Sequence, residues 1–201
     1  MSRMLHGIDV SNWQGAVDWA RHARDGVAFG FAKASEGGTF TDKWFARNWA
    51  GMRENWMVCG AYHFARPDGS PAGQARHFLR VLRAAGGLQP GDLIALDLEA
   101  DDGLPPARVA AFARRWCHIV EEFTGVRPLI YTYVNFARAG NCAGLEGHPL
   151  WIASPSSPRG DPVVPAPWQS WVIHQYANSP LDKNVFPGSR GELTSLGLDP
   201  R

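Results

Sequence analysis

The sequence predicts one α/β domain in which eight strands form a barrel and helices join only the earlier strands. Strand-like and helix-like segments alternate over the first two thirds of the chain, which is typical of parallel strands joined by right-handed crossovers. The last third keeps strands but loses the helices. The length of 201 residues and the hydrophobic content of 45% fit one core rather than two. We expect a barrel over residues 1–190 and a C-terminal tail at 191–201. Residues 187–201 carry few apolar side chains and are expected to pack loosely.

Each of the first four predicted strands precedes a segment whose apolar residues recur with helical spacing. The strands are short apolar runs at 5–10, 27–35, 57–65 and 92–99. The helices are predicted at 17–26, 41–56, 70–87 and 105–125. The second helix has Thr41 or Asp42 as a candidate cap, and its apolar stripe contains Trp44, Phe45, Trp49, Met52 and Trp56. The third and fourth have Pro near their start and Gly after their end, which is typical of helix boundaries.

The remaining strands are predicted with little helix between them. A strand at 127–134 is followed by a short helical piece at 135–140. Strands at 150–154 and 170–177 flank a proline-rich stretch, and a last short strand includes 181–186. Eight strands with five helical crossovers predict an irregular TIM-like (β/α)5(β)3 barrel whose final third has lost its helices.

Charge and composition exclude several classes of function. The chain has 20 Lys and Arg against 19 Asp and Glu, without a basic block, so we expect no nucleic-acid partner. It has no run of about 18 apolar residues, so we expect no membrane insertion, and its first ten residues lack the apolar core of a signal peptide. The odd, widely spaced Cys59, Cys117 and Cys142 form neither a disulfide framework nor a zinc pattern. We therefore predict no metal and no cofactor.

The segment LIALDLEA at 93–100 contains the clearest candidate for chemistry. Asp97 and Glu99 are two residues apart on a predicted strand, so both side chains face the same way, with backbone positions about 6.5–7 Å apart. At the carboxyl end of a barrel strand, two partly desolvated carboxylates cannot both ionise cheaply, and one pKa should rise. Cleavage of a glycosidic bond needs such a pair. The pattern alone also fits an ordinary strand end with two solvated acids, but acids and aromatics at the other strand ends favour a catalytic site.

An ordered set of motifs resembles the glycoside hydrolase family 25 lysozymes, which are N-acetylmuramidases that cut bacterial peptidoglycan. The resemblance covers about residues 5–186. Its motifs are GIDVSNWQG (7–15), FAKASEG (31–37), GAYHFA (60–65), DLE (97–99), PLIYTY (128–133), WIA (151–153), HQY (174–176) and a late D-x-N (182–184). The family barrel of five β/α units and three further strands agrees with the strand count made above. One departure is Ser179-Pro180-Leu181, where the family often has Gly-Val before the final D-x-N.

The resemblance implies roles for ten residues. Glu99 would be the general acid/base and Asp97 its partner, which either orients the substrate's 2-acetamido group or supports the positive charge directly. Asp9 and Asp182 would be the two further acids of the site. The residues implied to bind substrate are Tyr62, Tyr133, Trp151, Gln175, Phe64 and Lys33. Core packing is the alternative for the aromatic residues, including Trp13, and pairing with Glu36 is the alternative for Lys33. His63 is expected to be a structural hydrogen-bonding group, and retention with 2-acetamido assistance is favoured.

Two other functions compete with a muramidase. A catalytically silent barrel that binds peptidoglycan or chitin would share the fold, although binding does not require four acids. A different wall hydrolase, such as an amidase, normally has zinc or cysteine-nucleophile signatures, and the sequence has neither. We expect a monomer whose partner is bacterial peptidoglycan. It would act on the cell wall, either outside the cell or delivered from the cytoplasm by a phage.

Overall fold

The computed structural model describes residues 4–199, and its sheet closes on itself as an eight-stranded barrel with one short extra strand. The order around the ring is β1, β2, β4, β5, β6, β7, β8, β9 and back to β1, while the two-residue β3 pairs outside the ring with the end of β2. The strands are β1 (Leu5–Val10), β2 (Val27–Glu36), β3 (Phe40–Thr41), β4 (Val58–Phe64), β5 (Leu93–Asp97), β6 (Leu129–Tyr133), β7 (Leu150–Ala153), β8 (Ile173–Ala177) and β9 (Asp182–Phe186). The predicted single-domain α/β barrel is therefore confirmed.

Strand direction differs from the prediction at one place. Within the ring, every neighbouring pair from β1 to β8 is parallel, but β9 runs antiparallel to both β8 and β1. The loop between β8 and β9 covers only residues 178–181, whereas a parallel crossover needs about a dozen residues. Because of this reversal, Asp182 is the first residue of β9 and pairs with Asp9 of β1. An acid from the last strand thus reaches the same rim as acids from the strands that end there.

Most of the helices follow the earlier strands, and one short helix follows the last strand. They are α1 (Trp19–Arg24), α2 (Phe45–Glu54), α3 (Pro71–Ala84), α4 (Pro106–Thr124), α5 (Val134–Phe136), which continues into a π-helical turn at Ala137–Asn141, and α6 (Arg190–Thr194). The Ser70 side chain accepts a hydrogen bond from the Gly73 amide at the start of α3, and Gly125 ends α4 with a φ of +73°. Asp42 accepts from the Trp44 amide, but α2 itself begins at Phe45.

The apolar side chains form two core layers, one inside the barrel and one between the barrel and the helices. Inside, glycines make room for large rings, because a Cβ on Gly7 would overlap Phe29 and one on Gly60 would overlap Phe31. Outside, Phe45, Trp49 and Met52 of α2 are buried, as the predicted stripe requires. Trp56 of that stripe is instead 84% exposed, since α2 has ended and Trp56 adopts a left-handed φ of +58°.

The C-terminal segment packs more tightly than its composition predicts. Ser189 and Glu192 form a capping box at the start of α6, which buries Leu193 against the inner core. The Leu198 amide donates to the Asp92 carbonyl at 3.0 Å, and the Leu198 carbonyl accepts from the Gly91 amide at 2.8 Å. The expectation of loose packing is therefore wrong for the described part of this segment, whereas the domain boundary at 190 stays a prediction. Within residues 4–199, no helix combines the length and the apolarity needed to cross a membrane.

Candidate active site

A polar cleft of about 280 Å³ opens at the carboxyl ends of the parallel strands. Four acids from three parts of the chain meet in it: Asp9 from β1, Asp97 from β5, Glu99 just after β5, and Asp182 from the start of β9. The other lining residues are Ser11, Trp13, Gln14, Lys33, Tyr62, Phe64, Tyr131 and Trp151. The barrel thus brings together the four acids that the sequence analysis singled out.

Asp97 and Glu99 share a face although the strand is shorter than predicted. Regular pairing of β5 ends at Asp97, and the Leu98 amide still donates to the Tyr131 carbonyl at 2.9 Å. Leu98 points into the outer core, while the residues on either side of it line the cleft. Asp97 is almost fully buried and Glu99 is half-buried. Glu99 is therefore the more accessible of the two carboxyl groups.

Asp9 is held by a chain of side-chain hydrogen bonds at the bottom of the cleft. Its Oδ2 accepts from Gln175 Nε2 at 2.9 Å and from Asn184 Nδ2 at 2.7 Å. Gln175 in turn accepts from the Tyr131 hydroxyl at 3.0 Å, and Asn184 accepts from the Trp151 indole nitrogen at 2.7 Å. Side chains from four strands therefore fix the orientation of the Asp9 carboxyl group.

Burial raises the pKa of all four acids, and repulsion by neighbouring carboxylates raises the pKa values of Asp9, Asp97 and Glu99 further. Burial is the largest cause in each case. The charge of Glu99 further raises the pKa of Asp97, and the charge of Asp182 further raises the pKa values of Asp9 and Glu99. The charge of Lys33 lowers the pKa values of Asp97 and Glu99. Hydrogen bonds from the side-chain amides of Asn184 and Gln175 lower the pKa of Asp9. Such a cluster holds protons at a higher pH than isolated carboxyl groups do.

Lys33 pairs with Glu36, as the alternative to substrate binding predicted, and it also lines the cleft. Its Nζ lies 2.6 Å from Glu36 Oε2 and 4.8 Å from the centre of the Phe64 ring. Arg66 contacts Glu36 Oε1 at 2.6 Å and Asp102 at 3.2 Å, and it covers the same ring at 4.8 Å. This chain of charges holds a cation and an aromatic ring at one side of the cleft.

Of the other residues implied to bind substrate, some line the cleft and some do not. Tyr62 and Trp151 line the cleft but are buried, and Trp151 packs 4.4 Å from Phe31 between ring centres, so core packing accounts for much of their surface. Gln175 is buried behind Asp9 rather than in the lining. Tyr133 lies outside the lining, 40% exposed, with its ring 5.6 Å from Phe136.

Sequence reasoning left several lining or supporting residues without a role. Tyr131 lies two residues before Tyr133 on the same face of β6, and Asn184 lies two residues after Asp182 on β9, so strand alternation was the available signal. Ser11 and Gln14 follow β1 closely, within the motif at 7–15. Core packing, the alternative considered for Trp13, does not apply, because its side chain is 86% exposed.

His63 is structural, as expected. Its Nδ1 lies 2.8 Å from Ser35 Oγ, its Nε2 lies 3.0 Å from Gln74 Oε1, and its ring stacks on Trp116. Burial lowers its pKa to about 4, so it is neutral near pH 7. Cys59, Cys117 and Cys142 are buried free thiols, and residues 4–199 contain no cluster of His, Cys, Asp or Glu arranged to hold a metal ion.

Comparison with known proteins reveals consistent similarity. The family model described as Glycosyl hydrolases family 25 matches residues 8–185. The chain is 35% identical to the Uncharacterized protein YegX of Escherichia coli strain K12, covering 97% of this chain and 74% of that protein. It is 28% identical to Lysozyme M1 of Streptomyces globisporus, covering 96% and 71% respectively. The solved structure of a family GH25 lysozyme from Aspergillus fumigatus superposes with a TM-score of 0.88 at 28% identity, covering 98% of this chain and 100% of that one.

Proposed function

The chain belongs to glycosyl hydrolase family 25 and is a glycoside hydrolase, and from that premise we propose that it is a lysozyme of bacterial peptidoglycan. The bond cut is the β-1,4 linkage between N-acetylmuramic acid and N-acetylglucosamine. The observation that carries the proposal is the cleft in which Asp9, Asp97, Glu99 and Asp182 converge. Such a group of acids provides both a proton for the leaving oxygen and negative charge for an oxocarbenium-like centre.

Glu99 is the general acid/base. It is half-buried at the mouth of the cleft, where a leaving oxygen can reach it, and burial raises its pKa. A raised pKa keeps the carboxyl group protonated until it donates its proton to the leaving oxygen. The resulting carboxylate then takes a proton from the water that completes hydrolysis.

Asp97 is the assisting carboxylate. It is more deeply buried than Glu99, and its Oδ1 has no hydrogen-bond partner among residues 4–199. An unpartnered buried oxygen supports a role in accepting the N–H of the substrate's 2-acetamido group. The acetamido oxygen then bonds to the anomeric carbon as the glycosidic bond breaks, and attack by water restores the original configuration. The reaction therefore proceeds with retention.

The remaining residues shape and bind the glycan. Asp9 and Asp182 set the charge of the cleft, and Gln175 orients Asp9. Lys33, Phe64, Tyr62 and Trp151 form the walls of the cleft, and Tyr133 contacts the glycan beyond it. Residues 1–190 act as the catalytic domain of a monomer on the cell wall, reached from outside the cell or by phage delivery from the cytoplasm.

The test is the substitution Glu99→Gln, which keeps the shape of the side chain but removes its proton chemistry. The rate of lysis of purified cell walls, measured as the loss of turbidity, should fall about 100- to 10,000-fold. The matched control is Glu122→Gln on the exposed surface of α4, which should lyse walls like the wild type. Neither variant should melt at a lower temperature than the wild type.

Retained lysis by the Glu99→Gln protein would remove Glu99 from its role. If the wild-type protein bound walls without lysing them, the result would support the catalytically silent binding barrel instead of a lysozyme.

A further inference from the structure

Trp13 lies on the rim of the cleft and has no role in the chemistry described above. We propose that Trp13 and its loop form a glycan-binding platform, on which one pyranose ring of the strand stacks away from the bond that is cut. This inference rests on the proposed function, because it assumes that the ligand is the peptidoglycan glycan. It adds a binding residue on the β1 side of the cleft.

The Trp13 ring is free to receive a ligand. It is 86% exposed, although it is one of the residues that line the cleft. Within residues 4–199 its indole nitrogen makes no hydrogen bond, and no aromatic ring or cation packs on its face. By contrast, the indole nitrogens of Trp19, Trp49, Trp151 and Trp168 all donate to protein oxygens. A large, flat and mainly apolar face beside a polar cleft suits the C–H face of a sugar ring.

The loop that holds Trp13 is pre-organised. Ser11 and Gln14 close it, because the Ser11 amide donates to Gln14 Oε1 at 2.8 Å and the Gln14 amide donates to the Ser11 carbonyl at 3.2 Å. The Trp13 amide itself donates to Ser11 Oγ at 3.3 Å. A platform that is ordered before binding loses less conformational entropy when a sugar stacks on it.

A buried acid from the next β/α unit anchors this loop to the barrel. Asp42, only 2% exposed, accepts from the Asn12 amide at 2.7 Å and from the Trp44 amide at 2.8 Å. The two bonds join the loop after β1 to the start of α2. Asp42 is therefore a positioning residue for the platform, and its burial is explained without contact to substrate.

Polar groups beside the Trp13 ring are placed to form hydrogen bonds with the oxygens of a pyranose. Ser11 and Gln14 line the cleft together with Trp13, and Gln14 Nε2 makes no hydrogen bond within residues 4–199. A free amide donor next to an aromatic face allows the sugar to stack while one of its oxygens accepts a hydrogen bond. These three side chains form a recognisable sugar-binding arrangement on one side of the cleft.

Trp56 provides the matched control for exposure alone. It is 84% exposed, nearly the same as Trp13, but it lies between α2 and the amino end of β4. The amino ends of the parallel strands are at the opposite end of the barrel from the cleft. A generic effect of removing a surface tryptophan should therefore appear at both positions, whereas glycan binding should depend on Trp13 only.

Binding is measured by titration calorimetry on the Glu99→Gln protein, so that turnover does not consume the ligand. The probe is soluble glycan strands from peptidoglycan whose stem peptides have been removed. Adding Trp13→Ala should raise the Kd about tenfold. Trp13→Tyr, which keeps a stacking ring, should stay within about threefold, and Trp56→Ala within about twofold.

In the wild-type background, Trp13→Ala should raise KM more than it lowers kcat, because a ring away from the cut bond binds substrate and transition state alike. The proposed platform would be overturned by an unchanged Kd for Trp13→Ala. It would also be overturned if Trp13→Tyr or Trp56→Ala raised the Kd as much as Trp13→Ala does. Because the calorimetry needs no activity, its result stands apart from the loss of lysis that tests Glu99.

Discussion

The four carboxyl groups of the cleft cost the folded protein stability near neutral pH. Burial raises their pKa values above those of the unfolded chain, and repulsion adds to this for Asp9, Asp97 and Glu99, so the folded state binds protons more tightly. The stability linked to these groups is fully present below the unfolded pKa of about 4 and is lost as pH rises through the raised values. The acids proposed for catalysis therefore lower the stability of the folded protein near neutral pH.

Asp97 gives the clearest test at the scale of single residues, because it is buried beside Glu99 and one of its oxygens lacks a partner within residues 4–199. Asp97→Asn removes a repelled buried charge. It should raise the free energy of unfolding at pH 7 by about 1 kcal/mol or more, the equivalent of one pKa unit. The gain should shrink toward pH 4, where the wild-type acid is protonated. Urea unfolding at both pH values measures the difference.

The control for this substitution is Asp68→Asn, at an exposed turn residue, which should change stability by less than about 0.5 kcal/mol at either pH. An Asp97→Asn protein less stable than the wild type at pH 7 would contradict the sign of this argument.

At the scale of elements, glycines set how closely the strands enclose the inner core. A Cβ on Gly60 of β4 would overlap the ring of Phe31 on the neighbouring β2. Gly60→Ala should therefore lower the free energy of unfolding by about 1–3 kcal/mol through overpacking. Gly38, in the turn after β2, has open space at its Cβ, so Gly38→Ala is the matched control and should change stability by less than about 0.5 kcal/mol. Equal effects in urea unfolding would disprove the packing argument.

Sequence reasoning predicted the elements well where local patterns decide them. β1 covers the predicted residues 5–10, and α3 and α4 begin at prolines that the pattern marked. It failed where the chain leaves a regular element: α2 ends before Trp56, and β5 ends before Glu99. Periodicity does not say where a helix or strand stops when the next residue has the right polarity. The packing of Leu193 under the barrel was equally invisible, because it depends on contacts remote in sequence.

At the scale of the whole molecule, barrel closure creates the site. Asp9 and Asp182 are at opposite ends of the chain yet are paired across β1 and β9. The sequence predicted that these acids would converge, because strand ends of a parallel barrel share a rim. It did not predict the antiparallel direction of β9 or the hydrogen bonds from Gln175 and Asn184 to Asp9. Those depend on a short loop and on register, which local propensity does not encode.

The central claim is that this cleft cleaves the muramic acid linkage of peptidoglycan. Its most direct test is mass analysis of the products that the wild-type protein releases from a defined peptidoglycan, after borohydride reduction of the new reducing ends. The account predicts reduced N-acetylmuramic acid at those ends. Reduced N-acetylglucosamine there, or free stem peptides with intact glycan strands, would contradict it.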